Sequence, residues 1–284
     1  MKSIISFAER GSDGDNSYRG NCSGFVQQSL IEHFKINHFV DICEGGLTSR
    51  DVCKRMGVNY NGFDLKSGTD FTSDYILSLM DNNHCDMSFS HPPYHNMIKY
   101  SDDDNDLSNC DSVDVFLAKS QLMLMNQREI TTDYYVTLIG DMRKNGVFNS
   151  FQSDFIKMMP RSELLSVVIK QQHNCLSDRR SYSGSFVPIA HEYLLIWKRS
   201  AKSFFDISMD KAIELRNMIS ITWSNAIRLV MMKLGKADLS LIYSEVEAVV
   251  SPLMLDKNKH WKAKIRQVLQ KYYHNVERGV WQFS

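Results

Sequence analysis

Hydrophobic positions in the first two thirds of the chain alternate between short continuous runs and helical spacing. The runs predict buried strands at 38–43 (HFVDIC), 58–65 (VNYNGFDL), 85–90 (CDMSFS), 134–141 (YYVTLIGD) and 191–199 (HEYLLIWKR). The segments GFVQQSLIEHF, RDVCKRMG, YILSLMDNN and SVDVFLAKSQLMLMNQREI predict helices between them, and ELLSVVIKQQ fits either a strand or a helix.

Strands that alternate with helices predict an α/β domain with a mainly parallel sheet. Ligands of such sheets bind beyond the carboxyl ends of the strands. Three polar segments, DICEGG, FDL and SHPPY, fall at such ends. We therefore expect these segments to line one crevice.

The pattern changes after Arg199. DKAIELRNMISITWSNAIRLVMMKLG, ADLSLIYSEVEAVV and NKHWKAKIRQVLQKYY predict helices, and VERGVWQFS predicts a hairpin around Gly279. Helices followed by a small β wing predict a winged-helix (α+β) module. We expect one domain over 1–204 and a second domain over 205–284.

Charge is unevenly distributed, although the formal net charge of the whole chain is zero. Residues 206–284 hold 12 Lys and Arg against 8 Asp and Glu, which leaves 21 against 25 in residues 1–205. A modestly basic C-terminal module is suited to face phosphates.

The cysteine and hydropathy patterns indicate a cytoplasmic protein. The six cysteines form no CxxC pair and are expected to be reduced thiols. No apolar run approaches the length of a membrane span, and the N-terminal segment lacks the apolar core of a secretion signal.

The segment that begins at Asp41 is a strand that runs into a turn with two glycines. Such a turn lets a ligand approach the backbone closely, near the N-terminus of the next helix. Asp64 at the end of the following strand is suited to two ribose hydroxyls. An adenosine-type cofactor needs both features, although an ordinary strand–turn–helix explains the first one equally well.

The segment His91-Pro92-Pro93-Tyr94 follows the third strand. Two prolines fix the backbone and leave their carbonyls as free acceptors. These acceptors are suited to the exocyclic amino group of a base, and an aromatic ring is suited to stack on that base. The alternatives are an ordinary turn and a metal site at His84, Cys85, His91 and His95, but this spacing fits no zinc signature, so we predict no metal.

Taken together, these motifs resemble those of the S-adenosylmethionine-dependent DNA amino-methyltransferases, over roughly residues 18–199. The proline motif of that family is [D/N/S]-P-P-[Y/F/W], and its cofactor motif is similar to residues 41–49. The resemblance implies a Rossmann-like methyltransferase domain that binds S-adenosylmethionine and methylates adenine N6 or cytosine N4 of a flipped base. It implies cofactor contacts at Cys22, Ser23, Asp41, Glu44, Gly45, Gly46 and Asp64, and catalytic roles for His91, Pro92, Pro93 and Tyr94.

Two positions depart from the family pattern. His91 replaces the usual Asp, Asn or Ser, and a neutral imidazole nitrogen can still accept a hydrogen bond from an amino group. Leu47 replaces the last glycine of the cofactor motif, where a side chain would crowd the cofactor or change the turn.

A basic segment near the C-terminus is the candidate DNA-binding surface. Lys262 and Arg266 lie four residues apart, away from the apolar stripe of the last predicted helix. A basic face on the last helix of a winged-helix module is suited to the major groove of double-stranded DNA. The predicted contacts are Lys259, Lys262, Lys264 and Arg266.

The sequence thus predicts a site-specific DNA methyltransferase, with adenine N6 favoured slightly over cytosine N4. Two alternatives stay open. One is a DNA-binding protein that kept the scaffold and lost turnover, and the other is an RNA amino-methyltransferase.

Overall fold

Strands form the centre of the chain, which we describe from a computed structural model that covers residues 1–174, 185–200 and 222–282. The strands of the first part are β1 (Ile4–Ser6), β2 (His38–Asp41), β3 (Asn59–Gly62), β4 (Cys85–Ser90), β5 (Thr131–Ile139), β6 (Met142–Lys144), β7 (Val147–Asn149), β8 (Leu164–Gln171) and β9 (His191–Lys198). Each strand predicted from a continuous apolar run is present, and ELLSVVIKQQ forms a strand rather than a helix.

These strands, except the β6–β7 hairpin, form one seven-stranded sheet in the order β3-β2-β4-β5-β9-β8-β1. All neighbours are parallel except that β9 runs antiparallel to both β5 and β8. The first residues of β9 therefore lie at the edge where the parallel strands end. The predicted α/β class with a mainly parallel, Rossmann-like sheet is confirmed.

Helices cover both faces of the sheet. They are α1 (Gly24–Phe34), α2 (Thr48–Met56), α3 (Ile76–Leu79), α4 (Val113–Ile130) and α5 (Phe151–Met158). The α1 helix begins where the Ser23 hydroxyl accepts a hydrogen bond from the Phe25 amide, and it ends at Lys35 in a left-handed conformation. In the described part of the chain, no helix is both long enough and apolar enough to cross a membrane.

Alternating side chains divide the core into two layers, as the pleat of a strand requires. Phe39 packs with α1 and α2 on one face, whereas its neighbour Val40 packs with α4 on the other face. In β9, Leu194 belongs to the first layer and Leu195 to the second. The sheet is thus buried on both sides, and its carboxyl edge remains available for a site.

The C-terminal part contains α6 (Trp223–Leu234), β10 (Lys236–Asp238), α7 (Leu239–Val249), α8 (Pro252–Lys257), α9 (Trp261–Tyr272), β11 (His274–Glu277) and β12 (Val280–Gln282). Its strands form an antiparallel sheet in the order β10-β12-β11, and Gly279 in the β11–β12 turn has a φ of 77°. The expected small α+β unit with a terminal hairpin is confirmed. The predicted boundary between residues 204 and 205 lies outside the described residues and stays a prediction.

Buried aromatic and charged side chains join this C-terminal part to the second core layer. The rings of Tyr75 and Tyr272 stack with centroids 4.0 Å apart, and the Tyr75 hydroxyl donates a hydrogen bond to the Ser224 carbonyl over 2.7 Å. Nε of Arg228 lies 3.0 Å from Oε2 of Glu129, and both side chains are buried. The α6 helix is thus attached to α4 by an ion pair in the protein interior.

Candidate functional site

A cavity of about 170 Å³ lies at the carboxyl ends of β2, β3 and β4. The segments DICEGG, FDL and SHPPY all contribute to its walls, as expected from their positions at strand ends. The predicted site residues that line it are Cys22, Asp41, Glu44, Gly45, Gly46, Asp64, His91 and Pro93.

Three of the predicted cofactor-binding and catalytic residues do not line this cavity. The Ser23 hydroxyl caps α1 and donates a hydrogen bond to the Arg10 carbonyl over 2.8 Å. Pro92 is buried, and the Tyr94 ring lies beside Gly140, where an added Cβ would come within 2.7 Å of the ring. The roles predicted for these residues therefore stay predictions.

Asp41 stabilises the turn that contains Gly45 and Gly46, which we call the glycine turn. Its carboxylate accepts hydrogen bonds from the Cys43 amide over 2.9 Å and from the Ser49 hydroxyl. Burial raises the pKa of Asp41 to about 7, although both hydrogen bonds oppose this shift. The residue therefore shapes the floor of the cavity.

Asp64 connects the glycine turn to the turn after β3. One carboxylate oxygen accepts a hydrogen bond from the Gly45 amide and the other from the Lys66 amide, each over 2.9 Å. Each carboxylate oxygen has a second lone pair, so Asp64 can also accept from a ligand hydroxyl. Glu44 nearby accepts a hydrogen bond from the Tyr60 hydroxyl over 3.1 Å.

Two tyrosines that were not among the predicted site residues form another wall of the cavity. The rings of Tyr18 and Tyr100 stack with centroids 5.8 Å apart, and Nζ of Lys66 lies 4.4 Å from the Tyr18 ring centroid. Tyr18 also packs on the glycine turn, because an added Cβ at Gly45 would meet its ring at 3.0 Å. Aromatic faces beside a carboxylate are suited to a flat heterocycle attached to a sugar.

Leu47 does not line the cavity, so it does not crowd a ligand there. It adopts a left-handed conformation, with φ 65° and ψ 18°, which favours glycine. The backbone at position 47 thus keeps the left-handed conformation expected of a glycine, and Leu47 adopts it at the cost of strain.

We expect Leu47→Gly to raise the free energy of unfolding by about 1 kcal/mol, because glycine relieves the left-handed strain. Leu241→Gly is the matched control, since Leu241 is an exposed leucine inside α7, where glycine should cost about 1 kcal/mol. Urea unfolding measures both changes. A loss of stability in Leu47→Gly as large as in the control would contradict the strain.

The proline motif is part of a hydrogen-bonded network with strands β8 and β9. Nε2 of His91 lies 2.9 Å from the Tyr94 hydroxyl, which donates a hydrogen bond to Oε1 of Glu192 over 2.8 Å. Oε2 of Glu192 accepts a hydrogen bond from Nζ of Lys170 over 2.6 Å. Four side chains from three strand ends thus form one connected group, which we call the His91–Lys170 network.

Burial and charge set the ionisation of this network. The pKa of His91 is lowered to about 4, mainly by burial; Glu192 opposes this shift, and Lys170 adds to it. Burial raises the pKa of Glu192, but Lys170 and His91 outweigh this effect, so its pKa lies below the ordinary value. His91 is therefore neutral and Glu192 ionised at neutral pH.

Glu192 and Lys170 were also not predicted from the sequence. Glu192 stands at the start of the apolar run HEYLLIWKR, and a strand start normally lies opposite the ligand edge of a parallel sheet. Because β9 is antiparallel to its neighbours, its first residues lie at the ligand edge instead. A charged residue at the head of a buried strand was the available signal.

The four residues of the metal alternative, His84, Cys85, His91 and His95, do not lie together, because β4 separates them. His84 and Cys85 lie at the start of β4, whereas His91 and His95 follow its end. Strand geometry places the two pairs more than about 15 Å apart. Among the described residues, no group of three His, Cys, Asp or Glu side chains is arranged to hold a metal ion.

The predicted basic surface lies on α9 and the residues before it. Ile265 and Leu269 are buried, whereas Lys262 and Arg266 are exposed. Nζ of Lys262 lies 5.4 Å from the Tyr243 ring centroid, and Arg266 donates a hydrogen bond to the Tyr243 hydroxyl over 2.7 Å. Lys259 is also exposed, and Lys264 is partly exposed.

Comparison with solved structures gives distant similarities. No family model matches the chain, and no curated protein matches it. A SAM-dependent methyltransferase from Archaeoglobus fulgidus is similar over 62% of this chain and 92% of its own, with 12% identity and a TM-score of 0.39. A candidate DNA modification methylase from Thermus thermophilus, in complex with S-adenosyl-L-methionine, is similar over 56% of this chain and 72% of its own, with 13% identity and a TM-score of 0.31. These values are low, so the fold assignment rests on the strand order and register described above.

Proposed function

We propose that this protein is an S-adenosylmethionine-dependent DNA methyltransferase that modifies the exocyclic amino group of a flipped base. Adenine N6 is favoured slightly over cytosine N4 as the target. The observation that carries the proposal is that the glycine turn, Asp64 and His91 all line the same cavity. A cofactor and a target amino group would thus meet in one place.

The residues of the cavity fit the cofactor. Asp64 keeps free lone pairs for ribose hydroxyls, and the Tyr18 and Tyr100 rings are suited to an adenine ring. Glycine at positions 45 and 46 keeps the turn free of side chains. When bound, the cofactor supplies an electrophilic methyl group.

His91 and the Pro92 carbonyl would share the two hydrogens of the target amino group in this proposal, and Tyr94 would contact the base ring. The low pKa of His91 keeps its imidazole neutral at neutral pH, so one ring nitrogen can accept a hydrogen bond. Holding both hydrogens aims the nitrogen lone pair at the methyl group. Direct transfer then needs no covalent intermediate.

Double-stranded DNA is the proposed partner because the C-terminal part has the element order of a winged helix. A helix, a strand and further helices precede the β11–β12 hairpin, with α9 in the position of a recognition helix. Exposed Lys259, Lys262 and Arg266 would contact phosphates or base edges from this helix and the turn before it.

Methyl transfer from labelled cofactor to unmethylated DNA tests the proposal. We expect incorporation by the wild type and about tenfold less by His91→Ala, because one acceptor for the amino group is lost. His84→Ala, at the opposite end of β4, is the control and should keep wild-type activity. Equal incorporation by the wild type, His91→Ala and Tyr94→Ala would contradict the proposed catalytic site.

A second candidate function is DNA binding without turnover. It is favoured by the commitment of the Tyr94 hydroxyl to Glu192 and by the position of Tyr94 outside the cavity wall. Calorimetric titration with S-adenosylmethionine separates the two functions. A protein that binds DNA but shows no heat with the cofactor would be the non-enzymatic form.

A further inference from the structure

We propose that Lys170 and Glu192 are positioning residues that orient the hydrogen bonds of the Tyr94 hydroxyl and thereby leave Nδ1 of His91 as the acceptor for the target amino group. This inference rests on the proposed function for its catalytic meaning. Its structural part, the tautomer of His91, is independent of any activity.

The direction of the His91–Lys170 network follows from counting donors, beginning at Lys170. An ammonium group can only donate, so Oε2 of Glu192 accepts its hydrogen bond. The ionised carboxylate has no proton to give, so Oε1 must accept from the Tyr94 hydroxyl. The Tyr94 hydroxyl has one proton, which it donates to Glu192, so it has none to donate to His91.

The same count determines the tautomer of His91. The Tyr94 oxygen can only accept from His91, so Nε2 of the imidazole must carry the proton across the 2.9 Å contact. A neutral imidazole has one N–H, so Nδ1 keeps a lone pair. Nδ1 has no hydrogen-bond partner among the described residues, and His91 lines the cavity.

Burial makes this arrangement stable against exchange with water. The side chains of Glu192, Lys170 and His91 are only 8%, 12% and 15% exposed. Hydrogen bonds in such surroundings are stronger than in water, and an unpaired group is costly. The network therefore favours one set of proton positions.

Several titratable groups from neighbouring elements influence the network. Glu192 comes from β9, with Oε1 4.0 Å from Nε2 of His91, and Lys170 comes from β8 and pairs with Glu192. Four further groups have raised pKa values through burial and are neutral at neutral pH: Cys22 before α1, Cys43 after β2, Tyr94 itself and Tyr100. Asp41 also lines the cavity, and with its pKa of about 7 it titrates near neutral pH. Lys170 is thus the cation that keeps Glu192 ionised.

Loss of the Lys170 charge should make the ability of Nδ1 of His91 to accept a hydrogen bond depend on pH. Burial would then raise the pKa of Glu192 with less opposition, and the lowering effect of Lys170 on the pKa of His91 would also disappear. A proton taken up by Glu192 reverses the hydrogen bonds, and a proton taken up by His91 occupies Nδ1. Either event removes the acceptor as the pH falls.

The first test is the pH profile of methyl transfer by the full chain. The His91 pKa lies well below the range from about pH 6 to pH 9, so in the wild type, among the described cavity residues, only Asp41, with its pKa of about 7, should affect kcat there. In Lys170→Met, kcat relative to the wild type should fall about tenfold from pH 9 to pH 6, the loss of one hydrogen bond. Lys170→Arg keeps the charge and should restore the wild-type profile.

Lys198→Met is the matched control, because Lys198 is an exposed lysine at the other end of β9. Its profile should match that of the wild type. A profile of Lys170→Met that is lowered equally at every pH would overturn the proposal, since a purely structural defect behaves in that way.

The second test reads the tautomer without any activity. Nitrogen NMR of protein labelled at histidine should show protonated Nε2 and bare Nδ1 for His91 at neutral pH, with the signal assigned by its absence in His91→Asn. Tyr94→Phe removes the partner of Nε2 and should give a mixture of tautomers.

A wild-type signal with protonated Nδ1 would overturn the inference even if the enzyme is active. If no DNA is methylated by the wild type, the proposed function fails, while the NMR result still decides the state of the network. The two failures are therefore distinguishable.

Discussion

Glu129→Ala is expected to lower the free energy of unfolding by about 3–5 kcal/mol, because it leaves the buried charge of Arg228 without its carboxylate. Among the described residues, Glu129 is the only acid that pairs with Arg228. The Tyr75 ring, with its centroid 3.9 Å from Cζ of Arg228, remains as a weaker partner. Urea unfolding followed by circular dichroism measures the loss.

Glu245→Ala is the matched control for this prediction. Glu245 pairs with Lys233 over 2.7 Å, but the two side chains are 23% and 33% exposed. Solvent screening should keep the loss below about 1 kcal/mol. The double variant Glu129→Met with Arg228→Met should recover most of the stability, and equal losses in Glu129→Ala and Glu245→Ala would contradict the interior ion pair.

Asp64→Asn is expected to weaken S-adenosylmethionine binding about 100-fold, because a charged acceptor for the ribose hydroxyls becomes neutral and keeps only one acceptor oxygen. This prediction rests on the proposed function. Calorimetric titration of the full chain measures the dissociation constant directly and needs no DNA substrate.

Asp86→Asn controls for the structural part of that loss. Asp86 is also a partly buried carboxylate, near the start of β4, and its Oδ2 accepts hydrogen bonds from the Asn37 and His38 amides. It lies at the opposite edge of the sheet from the cavity, so its replacement should cost stability and leave cofactor affinity unchanged. Equal weakening by both variants would remove Asp64 from the cofactor site.

The sequence predicted the centre of the sheet well, because strands β2, β4, β5 and β9 are largely buried on both faces and therefore read as continuous apolar runs. The segment CDMSFS forms β4 over its whole length, and GFVQQSLIEHF forms α1. The convergence of DICEGG, FDL and SHPPY on one cavity followed from strand direction alone.

The remainder of the site depends on contacts that no local pattern carries. Tyr94 and Glu192 are 98 positions apart, and their contact depends on the antiparallel direction of β9. The stacking of Tyr18 on Tyr100 likewise joins two loops. The attachment of α6 to α4 was also missed, because a single buried arginine in an apolar helix gives no indication of its partner.

The antiparallel strand β9 has a consequence for the order of folding. It is the last strand of the central sheet in the chain, yet it lies between β5 and β8. Until it is in place, both of those strands present open edges, and pairing over so long a separation is slow. During synthesis from the N-terminus, the glycine turn and Asp64 are available early, whereas Glu192 and the orientation of His91 arrive only when the sheet closes.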